Sequence, residues 1–412
     1  AGVDKLSRWC AVVASICVLA ACLISSGNAT LRYAAGMGSN AWLELQWYLF
    51  AYMVMFGAAH VFKVNEHVRV DLVYGLMGVR GKIWIDILGI LFFLLPATIY
   101  LLVLTGPKAW AVFVSGEISP NAGGLVRWPP WLALPLGFSL AALGLSFGVV
   151  GIQLGYFMPD FMASMPLRVF GIVSNDLLLA IPFFTLMGAI LERCGLAEDL
   201  LESMGQAFGS VPGGLAYSVI VVGAVLGAIT GTVAASVIAM GVIALPHMLK
   251  YGYDTRIATG SIAASGTITQ LIPPSLVLVV LADQLGRSVG DMYAGAIGPS
   301  IVQVLLFLAF ILGVSIFAPH KVPPLPAEAR TLRGWALWRR VLWGVIPSLG
   351  LMFLVLGTIF MGLATPTESG AMGAVGAMAL AAVRGRLTRK LLWEGMESTM
   401  RITAMVIFIL IG

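Results

Sequence analysis

The chain has 412 residues, 59% of them hydrophobic and only 10% charged, whereas an ordinary soluble domain carries about 25% charge. So few charges cannot cover a water-facing surface, and a soluble globular fold is excluded. The net charge of +5 reads as loop Lys and Arg at a membrane face, not as a nucleic-acid surface, because no basic run is interleaved with aromatics.

Runs long enough to cross a hydrocarbon core of roughly 30 Å are predicted at 9–26, 41–62, 84–105, 131–157, 172–192, 298–318, 344–362 and 364–383, with another from 400 onward. No ~10-residue alternating segments of the barrel type occur. The fold class is therefore all-α, a polytopic integral membrane protein embedded in a lipid bilayer. The first run lacks a small-residue cleavage site and is read as a retained helix, not a signal peptide. Amphipathic pieces at 67–77, 197–208, 330–342 and 389–400 are expected to be interface-lying helices or connectors. With the N-terminus inside, the inner loops of the first four spans hold Lys5, Arg8, Lys63, Arg69, Arg80 and Lys82, against Arg32, Lys108 and Arg127 outside. This bias predicts a cytoplasmic N-terminus.

The chain changes character near residue 140. Conventional spans with Trp and Tyr at their ends give way to Gly, Ala, Ser and Thr, and to Pro-broken helices. Two modules are expected: a four-helix unit at 1–140 and, at 141–412, a unit built for close packing and broken helices. Residues 214–250 are too long for one straight span and carry Ile229-Thr230-Gly231-Thr232 in the middle. Two helices meeting at that polar tip, near Ser236, would make a re-entrant hairpin, tolerated only where protein or a water-filled cavity shields it. A second interrupted element follows. Asp254 to Leu271 carries Ser265, Gly266, Thr267 and Thr269, then Pro273 and Pro274 break the helix and Ser275 starts another. Proline removes a donor, so carbonyls such as those of Thr269, Leu271 and Ile272 are expected to lose their partners. A bound cation would satisfy them, and paired broken helices point to an ion and substrate site in secondary transporters. A kink serving packing alone is the other reading of the same residues.

Other polar positions have structural readings. Glu44 is expected at the membrane interface, Asp176 as a helix cap, and Glu368 as part of the cap that opens the helix after Thr365-Pro366-Thr367. His60, His67, His247 and His320 fall near span ends, and nothing pairs them for haem ligation. Cys10, Cys17, Cys22 and Cys194 form no CxxC pair. Walker A, GxSxG and HExxH patterns are absent. The chain is expected to be no enzyme and to need no cofactor, and transport would draw on an ion gradient.

These segments resemble the membrane component of tripartite ATP-independent periplasmic transporters. Residues 1–140 are similar to the small four-helix subunit, through "AWLELQWYLFAYMVMFGAAHVFKVNEHVRVDLVYG", "IDILG" and "GEISPNAGGLVRWPP". That segment is most similar to the branch associated with mannitol or chloroaromatic compounds. The remainder resembles the large subunit, through "LLAIPFFTLMGAILERCGLAEDLLE", "GAITGTVAAS", "KYGYDTRIATGSIAASGT", "IPPS" and "GLATPTESGA". The resemblance implies an elevator-type, sodium-coupled transporter of the ion-transporter superfamily in the bacterial inner membrane. Its implied partner is a periplasmic solute-binding protein that delivers a small organic anion. It implies sodium ligands, mainly backbone oxygens, at Thr230, Thr232, Thr269, Ile272 and Pro274, with Gly231, Ser236, Ser265, Gly266, Thr267 and Ser275 around the hairpin and substrate. Relatives usually carry Gly where Thr269 stands, so a left-handed backbone there would be strained. Residues 141–412 are expected to hold the family's first inverted repeat and the start of the second, whose hairpin and break are not reached by Leu410-Ile411-Gly412, and "WLALPLGFSLAALGLSFGVVGIQLGYF" is expected to serve both subunits at the junction. A stand-alone sodium/proton antiporter or anion permease, or a non-transporting subunit of a membrane complex, are the rival readings.

Overall fold

The structure is a computed structural model that describes residues 2–36, 38–64, 95–119, 125–127, 165–230, 233–326 and 334–411, together with 81, 129 and 328. Among these, every regular element is α-helical apart from a 3-10 turn at Pro319–Lys321 and one isolated bridge between Ile118 and Val126. Among the described residues three helices are long and apolar enough to cross a membrane, over Arg8–Ala35, Val289–Phe317 and Leu337–Phe360. The protein is an all-α, multi-pass membrane protein. It divides into two compact units, one of residues 1–182 with 396–412 and the other of residues 183–395.

In the first unit, α1 (Gly2–Ala35) packs along α2 (Asn40–Val64). The first apolar run therefore belongs to a helix much longer than 9–26. Farther along lie α3 (Leu95–Ser115) and α4 (Met165–Val173). One face of α2 presents Glu44, Tyr48 and Tyr52 at helical spacing. The Glu44 carboxylate accepts from the Leu125 N–H at 2.6 Å, and the Tyr48 and Tyr52 hydroxyls donate to the carbonyls of Val126 and Pro129 at 2.6 and 3.1 Å. Glu44 is buried and spends its charge on this backbone. Gly57 on the same helix is covered by the end of the chain: a Cβ there would lie 2.7 Å from the Met400 sulfur.

The second unit holds the interrupted elements. The expected span at 172–192 is broken: α5 runs only from Ala180 to Arg193. Asn175 Oδ1 accepts from the Leu177 N–H at 2.9 Å and stabilises a turn instead. Asp176 lies in that turn, not at the helix start. After α5 the chain bends by 62° into the amphipathic α6 (Leu196–Ala207). Gly195 makes the corner at φ +73°, a left-handed conformation that glycine adopts freely. Arg386 lies against the space its missing Cβ leaves and donates to the Cys194 carbonyl at 2.7 Å. Arg384 pairs with Asp199 at 3.2 Å and fixes the first turn of α6 from the same side.

Next come α7 (Gly214–Thr230), α8 (Val233–Lys250), α9 (Thr255–Ile268) and α10 (Leu276–Leu285). They are followed by α11 (Val289–Phe317), α12 (Trp335–Phe360), α13 (Pro366–Val383) and α14 (Arg389–Ile411). Two expected connectors are absent as separate pieces. Residues 335–342 are the first turns of α12, which runs on through Gly344 and Pro347, and 389–400 are those of α14. The start of α7 is tied down by the segment after α11: the Gly213 N–H donates to the Val322 carbonyl at 2.8 Å. Leu215 N–H donates to the Tyr253 hydroxyl at 3.1 Å, and burial pushes that phenol up to about 12, so it stays neutral as an acceptor.

Close packing brings α7 and α9 together. A Cβ at Gly223 would lie 2.6 Å from Ser265 Cβ, and one at Gly227 2.8 Å from Thr269 Cα. The offset is the same in both pairs (265 − 223 = 269 − 227 = 42), so the helices run parallel and in register. Residues four apart share a helix face, and a Gly-x-x-x-Gly pair lets backbones meet. Parallel neighbours need a return path, which α8 supplies. Gly266 fits against Val237 of α8 with no room for a side chain.

Replacing Gly227 by Leu is expected to destabilise the detergent-solubilised protein by about 1–3 kcal/mol through overpacking. Gly260→Ala, where nothing lies within 4 Å, should leave the melting temperature unchanged. Thermal melts of both variants check the pair.

Candidate functional site

The register of α7 and α9 decides what comes together. α7 stops at Thr230, and α9 stops one helical turn after the Gly223–Ser265 contact, with Thr269 as its last capping residue. Two helix C-termini therefore lie side by side and point the same way. Each carries a partial negative charge. The next helices reverse the sign: α8 begins at Val233 and α10 at Leu276, so each C-terminus is followed in the chain by a helix N-terminus with its partial positive charge. α10 is 10 residues long, roughly 15 Å, and covers half of a ~30 Å hydrocarbon core.

The chemistry of the break follows from who donates to whom. The hydroxyls on the half of α9 nearer the break bond back to their own helix. Ser261 donates to Ala258, Ser265 to Ile262, Thr267 to Ala264 and Thr269 to Gly266, at 2.7 to 3.0 Å. Their protons are used, and their remaining lone pairs can only accept. Thr269 N–H donates to Gly266 O at 3.3 Å, and Leu271 and Ile272 N–H donate to Ile268 O at 3.0 and 3.2 Å. Beyond them the Pro273–Pro274 peptide is cis. The Leu271 carbonyl was expected to lack a donor. It has one: Ser300 Oγ of α11 reaches it at 3.0 Å. Ser275 Oγ donates to the Gln270 carbonyl at 2.6 Å, so it does not cap α10 and leaves that helix's first N–H groups without a side-chain partner. No hydrogen bond among the described residues reaches the carbonyls of Thr269, Ile272 or Pro274. Proline geometry and side-chain capping thus leave three oxygen acceptors at two helix ends, an arrangement that favours a cation.

The residues singled out in the sequence divide accordingly. Ser265, Gly266, Thr269, Pro274 and Ser275 are buried, Ile272 is half-buried and Thr267 is exposed. Ser236 is buried in the second turn of α8. Thr230 is the last residue of α7, and its side chain lies outside the described residues, as do Gly231 and Thr232. Thr269 adopts φ −60° and ψ −25°. The expected left-handed strain is absent, because the right-handed cap lets its hydroxyl return to Gly266 O. Gly266 likewise serves close packing, not an unusual backbone. Gly223, Gly227 and Ser300 were not singled out. The first two were legible as small residues four apart; Ser300 gives no sequence signal for its contact 29 residues away. Glu368 is buried and completes a capping box: its carboxylate accepts from Thr365 N–H at 3.0 Å while Thr365 Oγ1 accepts from Glu368 N–H at 3.3 Å. The described residues contain no group of three His, Cys, Asp or Glu arranged for a metal ion.

A helical membrane protein with two adjacent interrupted helices has the build of a secondary transporter. Residues 131–412 match the family described as tripartite ATP-independent periplasmic transporter, DctM component, and residues 21–148 match the DctQ component of the same transporters. The chain belongs to this family and carries both components in one polypeptide, with 131–148 claimed by both matches. It is 36% identical over 236 residues to a C4-dicarboxylate TRAP transporter large permease protein DctM of Pseudomonas aeruginosa, covering 57% of this chain and 52% of that protein. A DctM protein of the same description from Vibrio cholerae is 32% identical over 202 residues, 48% of this chain and 42% of that one. An isethionate TRAP transporter permease protein DctMQ of Oleidesulfovibrio alaskensis is 28% identical over 244 residues, 59% and 37% respectively. The chain spans about half the length of the curated relatives it matches. The family is one of transporter membrane components.

Glu368→Gln keeps an acceptor for the Thr365 N–H and should melt close to the parent protein. Glu368→Ala should lose about 1 kcal/mol with the cap. Equal loss in both variants would show that the charge matters beyond capping.

Proposed function

We propose that this chain forms part of a sodium-coupled importer of a small organic anion, handed over by a periplasmic solute-binding protein. The observation that carries this is the parallel pairing of α7 and α9, which places two helix C-termini together. Sodium binds between them, on the carbonyls of Thr269, Ile272 and Pro274 and on the hairpin tip at Thr230 to Thr232. Gly231 and Ser236 shape that tip, and Ser265, Gly266, Thr267 and Ser275 line the adjoining break. The substrate's negative group meets the neighbouring N-termini of α8 and α10 once sodium has compensated the carbonyls. An anionic substrate agrees with the relatives' names, C4-dicarboxylate, isethionate and 2,3-diketo-L-gulonate, which share an acid group and little else.

The remaining expectations fit the same reading. Residues 1–140 act as the static scaffold and 141–412 carry the transport elements, moving as an elevator. The protein resides in the bacterial inner membrane with its N-terminus in the cytoplasm, in agreement with the loop charges. No further cofactor is needed, because the gradient supplies the driving force.

A sodium titration tests the proposal. The purified protein in detergent is melted in rising NaCl with KCl making up constant ionic strength. A saturable rise in melting temperature specific to sodium is expected, following the linkage of ligand to stability. Pro274→Ala should weaken it, because the break that frees the carbonyls is lost. Identical melts in NaCl and KCl would contradict the assignment. In proteoliposomes of the whole transporter, uptake should require the binding protein; robust uptake without it would contradict the partner.

A further inference from the structure

A second concavity lies at the other end of the hairpin. It has a volume of about 350 Å³ and is enclosed by α6, the first turns of α7, the last turns of α8 and Leu325. That volume is within the range of small-molecule sites. Val219, which lines it, precedes Thr230 by 11 residues, roughly 16 Å along the helix. The cavity is therefore distinct from the ion site at the tip.

Its lining has a sharp polarity. Leu201, Leu215, Val219, Ile243 and Met248 make an apolar floor, and Glu198, Glu202, His247 and Tyr251 make the polar part. Among the described residues no Lys or Arg lines it. The charges nearby are unequally used. Glu202 is engaged by Arg340 at 2.8 Å, and Lys250 stands 5.7 Å from the ring of Tyr251. Glu198 is exposed at the start of the amphipathic α6 and makes no ion pair among the described residues. His247 Nδ1 lies 2.7 Å from the Ile243 carbonyl, which can only accept, so that nitrogen carries the proton. In the neutral ring Nε2 is then left as an acceptor. A carboxylate and an imidazole acceptor above an apolar floor repel anions and receive a donor cation with a hydrocarbon tail.

We infer that this cavity binds an ammonium-bearing amphiphile, its head on Glu198 and His247 and its tail on the floor between α6 and the hairpin. An aminophospholipid of the membrane and a single-chain amine share this chemistry. The site is separate from the transported anion and needs no part of the transport reading.

The test uses the purified chain in detergent, titrated calorimetrically with dodecylammonium chloride and, for comparison, with dodecanoate. Saturable binding of the amine and none of the carboxylate is expected. Glu198→Gln should weaken the amine about fivefold, the size of an exposed charge contact. Ile243→Trp, which fills the floor, should abolish binding, and Glu198→Gln keeps the test valid if that variant folds poorly. Mass spectrometry of the purified chain separates the sources. A retained ethanolamine phospholipid that Glu198→Gln loses makes the membrane the source, and amine binding without one makes it a free amine; both support the site. Equal binding of amine and carboxylate, or amine binding unchanged by Glu198→Gln, overturns it.

Discussion

Two glycines on one face of α7 set the geometry on which the site depends. Gly223 and Gly227 let α9 approach until Ser265 and Thr269 touch the α7 backbone. Larger residues would hold the helices a side chain apart and let their ends slide. With the glycines, the register is fixed, and the end of α7 at Thr230 stands level with Ile272, one turn past the end of α9. Helix ends concentrate unpaired carbonyls, and two ends pointing the same way add their partial charges. In water this would be of little consequence. In hydrocarbon, an unsatisfied carbonyl costs several kcal/mol. The break is thus a local expense that becomes useful when a cation arrives.

The surrounding side chains refine this arrangement. The α9 hydroxyls turn inward to their own carbonyls, which keeps the helix intact up to its last residue. Ser300 and Ser275 take the Leu271 and Gln270 carbonyls out of play. What remains is a smaller set of acceptors than the prolines alone would leave. Selective capping of this kind separates a specific site from a merely kinked helix. The Glu368 capping box works differently: it satisfies the Thr365 and Glu368 N–H groups at the start of α13, and its burial reflects stability.

Much of this was legible in the residues. Ile229-Thr230-Gly231-Thr232 and Pro273-Pro274 announce interruptions because glycine and proline act locally, through backbone freedom and a missing donor. The capping box at Thr365 and Glu368 is equally local. Contacts across space were not legible. Ser300 touches Leu271 only because α11 returns beside the break, and no periodicity encodes that. The backbone of Thr269 was misjudged because a preference for glycine in relatives was read as a left-handed conformation, while the helix simply continues into a right-handed cap. Boundaries failed where a charged turn continues as helix into an apolar one, as in α12, which runs through Gly344 and Pro347, and in α14. They failed in the opposite sense at 172–192, where Asn175 forms a turn inside an otherwise apolar run.

The most direct measurement is the position of the cation itself. Thallium(I) scatters anomalously and substitutes for monovalent cations on oxygen ligands, so crystals of the protein grown with thallium would locate it. The account predicts a peak coordinated by the Thr269 and Ile272 carbonyls, beside the end of α7, that sodium displaces. A peak elsewhere, or none that sodium competes for, would contradict it.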